Sequence, residues 1–184
     1  MGPLTREVTL LEVLNKATPI LVTGAAVAIA FRAGYWNIGV VGQLLMGAVA
    51  AAGIGQLAEG WPSLLVLPLM VGGGALAGAA WALVPALLRV RLGIDEVVTT
   101  LLLNPVALLI VQGLLHGPWK DPETGFPESP RIAEAAEFPQ LSEFIPLIGR
   151  SRLHLGFIIA VVLILVAWYV LSRTSTGLRV RAVG

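Results

Sequence analysis

The sequence predicts an all-α integral membrane protein, a polytopic helix bundle of about five transmembrane helices with a long extracytoplasmic loop. Three observations predict it. Only 12% of the 184 residues are charged while 57% are hydrophobic, and the mean hydropathy is +0.86; soluble domains carry about 25% charged residues. The few charges are clustered, with none between Arg32 and Glu59, Glu59 and Arg89, Glu96 and Lys120, or Arg152 and Arg173. Each gap accommodates the roughly 20 apolar residues that cross a hydrocarbon core about 30 Å thick. Finally, Trp36 to Gly53 reads as a helix with Gly39, Gly42, Gln43, Met46, Ala50 and Gly53 on one face. Val40, Val41, Leu44, Leu45, Ala48 and Ala52 form the other side, and neither side carries a charge. That is how a membrane helix looks when other helices press closely against it.

The expected spans are about 17–32, 38–58, 63–88, 96–115 and 154–172, with the extracytoplasmic loop over 116–153. Residues 1–16 are mixed, forming either a short interfacial helix through Val8, Leu10, Leu11 and Leu14 or a frayed lead-in. The first span is rich in small residues and tolerates Pro19 in its first turn. After the turn at Arg32 to Trp36, Asn37 is placed to cap the second span. The third carries Gly74 and Gly78 in a GxxxG pattern, which together with Gly39, Gly42 and Gly47 marks close helix packing. Asp95 and Glu96 open the fourth span, where carboxylates complement the helix dipole; a catalytic pair or a partner contact is the other reading.

Asn104-Pro105 lies near the centre of the fourth span. Pro105 lacks the N–H that would bond the Leu101 carbonyl, so the helix is expected to kink. Asn104 must satisfy its amide against another helix or along a polar path, because an unpaired polar group at that depth is expensive. Gln112 extends it into a polar seam, and Asn37, Gln43, Asn104 and Gln112 become the candidate path or interhelical contacts.

From His116 to Leu153 prolines and glycines recur too often for a long helix, although Ile132 to Phe138 is expected to form a short one. So long an excursion between spans is usually functional. The fifth span ends in the aromatic anchor Trp168-Tyr169, and a basic tail follows.

Orientation follows from Lys and Arg in the connections. Arg32, Arg89, Arg91, Arg173, Arg179 and Arg181 lie on one side, packed into short loops and the tail; Arg6, Lys16, Lys120, Arg131, Arg150 and Arg152 lie on the other. The first set is placed in the cytoplasm. The N-terminus then lies outside with no cleavable signal peptide visible, so a preceding span is expected to be missing. Net charge is +1 without a basic stripe, which argues against a nucleic-acid partner. There are no cysteines, which removes disulfides and thiolate metal sites. No metal, cofactor or catalytic residue is expected.

Several stretches resemble a known family. FRAGYWNIGVVGQLLMGA resembles the segment around an Asn-Ile-Gly-x-x-Gly-Gln motif in permease subunits of ATP-binding-cassette importers. The branch is that of nucleosides and simple sugars, related to the ribose and branched-chain amino acid permeases. GIDEVVTTLLLNPVALLIVQGLLHGPWKDPETGFPESP is similar to that branch's fourth-span region and outer loop, and TSTGLRVRAVG to the lead-in of its cytoplasmic coupling region. Val41 stands where the family often has Glu, and Pro105 where a larger residue often follows the Asn. The resemblance implies a single permease domain over 1–184, part of a larger permease fold, forming the path for a small polar solute. It implies an ATPase subunit as partner, facing Arg89, Arg91, Arg179 and Arg181, since no Walker A sequence is present. It also implies an external solute-binding lipoprotein docking at Trp119, Asp121, Glu123 and Glu128, a second permease subunit, and surrounding membrane lipid. Three other classes stand against this. A membrane-embedded enzyme would need ionisable groups converging within the spans, a secondary transporter or channel would usually place carboxylates there, and a structural membrane subunit needs neither.

Overall fold

The structure is a computed structural model that describes residues 7–144 and 153–183. Arg6, Arg150 and Arg152 of the orientation count, and the part of the long loop over 145–152, lie outside the described residues. The fold is all-helical across the membrane, with five helices long and apolar enough to span it. They are α1 (Glu7–Arg32), α2 (Val40–Leu57), α3 (Ser63–Leu92), α4 (Glu96–His116) and, after the one-turn α5 (Leu141–Phe144), α6 (Leu155–Arg173). A short α7 (Ser175–Val183) follows. Large apolar side chains on these helices face outward, Leu64 at 89% and Val90 at 82% exposure. In water that surface would drive association, whereas in a bilayer lipid tails cover it.

Several boundaries differ from the sequence expectation. The mixed lead-in is continuous with the first span, one helix of 26 residues from Glu7, so Pro19 lies in its interior rather than its first turn. Side-chain hydroxyls bond to backbone carbonyls on either side of it, Thr18 Oγ1 to Leu14 at 3.1 Å and Thr23 Oγ1 to Pro19 at 2.8 Å. α2 begins at Val40 with Gly39 as its cap residue, so Asn37 is not the cap. α3 runs on to Leu92 and stops at Gly93, whose φ of 66° is the left-handed conformation that ends helices. The basic tail is helical as α7. The short helix expected over Ile132 to Phe138 shrinks to a 3-10 turn, Glu134–Ala136.

The chain divides into two compact units. In the unit from Trp36 to Glu137, α2 and α3 pack closely because glycines oppose one another. A Cβ at Gly47 would stand 2.9 Å from the Gly74 carbonyl oxygen, one at Gly74 would stand 3.1 Å from that of Gly47, and one at Gly78 would stand 3.1 Å from that of Gln43. Leu45, Ala48 and Ala52, expected on the far side of α2, instead line an apolar groove of about 160 Å³ with Val111, Leu114 and Trp119. The segment after α4 folds back on this unit, burying Ala136 with Ala58 and Val66. In the other unit α1 and α6 share a groove lined by Ala25, Ala28, Ile164 and Ala167. There His154 caps α6, accepting the Gly156 N–H on Nδ1 at 3.1 Å. Its ring stacks on Phe138 with centroids 5.8 Å apart.

Gly74→Val or Gly47→Val forces backbone apart and is expected to destabilise the protein by about 1–3 kcal/mol. Gly72→Ala, which meets nothing within 4 Å, should be neutral in the same detergent-unfolding assay. Equal tolerance of both would show that α2 and α3 are not in contact there. Burial lowers the pKa of His154, which borders α6 outside the span, below its ordinary 6.5. The neutral, capping ring therefore stabilises the fold fully above pH 6.5, and that contribution is lost as pH falls toward the folded value. Thermal unfolding between pH 8 and 5 should be steeper in pH for the native chain than for His154→Phe; parallel profiles would contradict this.

Candidate functional site

The start of α2 gathers most of the candidate polar residues. Asn37 and Gln43 exchange amide hydrogen bonds, Asn37 Nδ2 to Gln43 Oε1 at 3.0 Å and Gln43 Nε2 to Asn37 Oδ1 at 3.1 Å. Asn37 Oδ1 also accepts the Gly39 N–H at 2.9 Å. α4 supplies the rest. Asn104 Oδ1 accepts the Gly42 N–H at 2.8 Å, and Asn104 Nδ2 donates to the Ile38 carbonyl at 3.0 Å. Thr100 Oγ1 accepts the Ile38 N–H at 3.2 Å. The backbone around the start of α2 is thus held partly by Asn37, which bonds the Gly39 N–H, and partly by side chains of another helix.

Depth explains the arrangement. Thr100 and Asn104 stand four and eight residues beyond Glu96, about 6 and 12 Å along α4. The non-helical backbone at Ile38 and Gly39 lies at the same level, inside the apolar part of the bundle. Thr100 and Asn37 are buried there, and their side chains satisfy the backbone groups they touch. Glycine makes the approach possible. A Cβ at Gly39 would come within 2.9 Å of Thr100 Cβ, and one at Gly42 within 3.2 Å of Asn104 Oδ1 and 3.0 Å of Trp81 Nε1. The Trp81 indole N–H is buried there without a hydrogen-bond partner.

The other candidates fall elsewhere. Gln112 does not join the node: its side chain is exposed, and eight residues at about 100° each turn it about 80° from Asn104. Gln43 bonds Asn37, and Asn104 meets the same end of α2 through its backbone. Trp119 packs over Gly53, 3.3 Å from a Cβ placed there, instead of standing free. Asp121 Oδ1 turns the chain by accepting the Glu123 N–H at 2.9 Å, and its own N–H reaches the Glu128 carbonyl at 2.8 Å. Asp95 caps α4, accepting from Val97 and Val98. Glu96 does not: it is buried and pairs with Arg89 Nε at 3.1 Å, closing the α3–α4 hairpin. Arg91, Arg179 and Arg181 are exposed. No group of three metal-ligating side chains occurs among the described residues.

Sequence reasoning missed Thr100, Trp81 and the Arg89–Glu96 pair. Thr100 had a readable signal, since it precedes Asn104 by one helical turn on the same face. The ion pair was readable too, as two opposite charges flanking the Gly93 stop.

Short helices that start inside the bilayer, with their free backbone groups held by neighbours, are an arrangement found in multi-pass membrane transport proteins. The chain belongs to the family described as the branched-chain amino acid transport system / permease component, whose profile matches residues 9–184. It is similar to the glucose ABC transporter permease protein of Haloferax volcanii, with 37% identity over 98% of this chain and 48% of the relative. The guanosine ABC transporter permease protein of Bacillus subtilis is 36% identical over 94% of this chain and 48% of its own length. A nucleoside ABC transporter permease protein of Lactococcus lactis is 29% identical over 94% and 48%. The chain spans about half the length of these curated relatives. No solved structure gives a significant match.

Replacing Asn104 by Leu leaves the Gly42 N–H and the Ile38 carbonyl unsatisfied, at an expected loss of roughly 1–3 kcal/mol. Gln112→Leu should stay within about 0.5 kcal/mol of the native chain. Detergent unfolding of the two variants decides this, and equal stabilities would show that Asn104 does not hold the α2 backbone.

Proposed function

We propose that the chain forms part of the transmembrane permease of an ATP-driven importer in the cell membrane, providing a path for a small neutral polar solute, a nucleoside or a simple sugar. The observation that carries this reading is the family match over residues 9–184, with relatives named as glucose, guanosine and nucleoside permeases. A separate ATPase subunit hydrolyses ATP, an external binding lipoprotein delivers the solute, and a second permease subunit completes the path.

Within this reading the node has two parts. Both polar ends of the Asn104 amide are taken by the α2 backbone, so Asn104 positions α2. Asn37 and Gln43 are uncharged amides that suit a neutral solute better than an ion, and they border the path; Gln112 adds an exposed amide further along α4. Asp121, Glu123 and Glu128 present acidic groups to the binding protein. Arg89, Arg91, Arg179 and Arg181 lie on the cytoplasmic side toward the ATPase.

Uptake of labelled guanosine or glucose tests this, in proteoliposomes holding the chain with its second permease subunit, an ATPase subunit and a solute-binding protein. Expected is uptake that requires ATP and disappears when the ATPase's phosphate-binding lysine is replaced. Uptake collapsed by a protonophore and indifferent to ATP would assign the chain to a secondary carrier instead.

A further inference from the structure

A second polar site lies at the other end of α2. The segment Arg131–Glu137 is strapped over the α2–α3 turn: the Ala133 N–H bonds the Gly55 carbonyl at 3.2 Å, and Ala136 is buried with Ala58 and Val66, flanked by Ile132 and Met70. The strap leaves a cavity of about 570 Å³ lined by Gln56, Glu59, Trp61, Arg131 and Glu134. Small-molecule sites occupy roughly 300–1,000 Å³.

Its polar groups are not used by the fold. Glu59, Arg131 and Glu134 make no ion pair among the described residues, where Arg89–Glu96 is the pair present. Gln56 Nε2 is buried without a hydrogen-bond acceptor. That nitrogen faces protein, and other atoms of the Gln56 side chain line the cavity. Trp61, 49% exposed, holds an indole at the rim.

We propose that this cavity binds a neutral polyhydroxylated solute, a sugar ring or the ribose of a nucleoside; the choice of solute rests on the permease reading above. The carboxylates of Glu59 and Glu134 accept from hydroxyls, while the Arg131 guanidinium donates to hydroxyl oxygens. The indole offers a flat apolar surface for the C–H face of a sugar ring. Two carboxylates against one guanidinium disfavour an anion, and the absence of a metal-ligating group of three among the described residues disfavours a metal ion. Gln43 and Gln56 are thirteen residues apart, so the site stands about 20 Å along α2 from the amide node. It is a separate station from that node.

The test uses the whole chain in lipid nanodiscs without ATPase or binding protein, with D-glucose and guanosine as probes in saturation-transfer NMR. Transfer to sugar-ring protons is expected, with affinity at least five-fold weaker in Glu59→Gln and in Trp61→Ala and little binding of glucose 6-phosphate. Arg131→Gln, at an exposed position, provides a further variant that leaves the buried cluster untouched and should also weaken binding. No transfer, transfer unchanged in all three variants, or equal binding of the phosphate ester overturns the proposal. So does an outcome in which the variants lose only capture of the binding protein, which would make the cavity a protein docking surface. ATP-driven uptake intact without transfer sinks this site alone, whereas transfer without ATP-driven uptake sinks the permease reading alone.

Discussion

The structure depends on one obligation: the backbone at the start of α2 is not helical, lies against α4, and is satisfied by side chains. α2 has 18 residues against 30 for α3, about 27 Å against about 45 Å. The shorter helix starts late, and the shortfall is bridged by non-helical chain from Asn37 to the turn at Gly39. Thr100 and Asn104 of α4, with Asn37 itself, answer for the exposed N–H and carbonyl groups of that bridge. Removing this set would leave several unpaired groups in a medium where each is expensive.

Close approach is the second condition. Side chains as short as Thr and Asn reach backbone across a helix interface only if the helices nearly touch. Gly39 and Gly42 provide this toward α4 and Gly47 toward α3, where Gly74 and Gly78 of α3 answer from the other side. The glycines of α2 therefore serve two neighbours in turn. They are set on different sides of one helix, which explains why a single small-residue face was too simple a description of it.

How much of this could be read in the sequence depends on the scale. Four long charge gaps and the shorter one between Lys16 and Arg32 located five spans, because hydrocarbon excludes charge whatever the packing. Asn104 was readable as an obligate partner-seeker for the same reason. Its partner was not readable, because residue types show where polar side chains lie but not that the backbone of Ile38 and Gly42 is open to them. Gln112 was misplaced because eight residues are not a whole number of turns. The continuous α1 was missed because Glu12 and Lys16 suggested an interface, although charged side chains can extend from a helix toward the polar region. Glu96 looked like a cap and became a buried ion partner, since Asp95 already filled that role.

Pro105 directly follows Asn104, and this adjacency divides α4 into unequal mechanical parts. The stretch from Glu96 to Asn104 is bound to the α2 backbone, while the hydrogen bond that would stiffen the next turn is missing at the Leu101 carbonyl. Any flexing of α4 is therefore hinged immediately beyond its anchor. Such a bend would carry Val111 and Leu114, one wall of the apolar groove, and leave the capped start of α2 undisturbed. The helix thus has a fixed root and a jointed upper half.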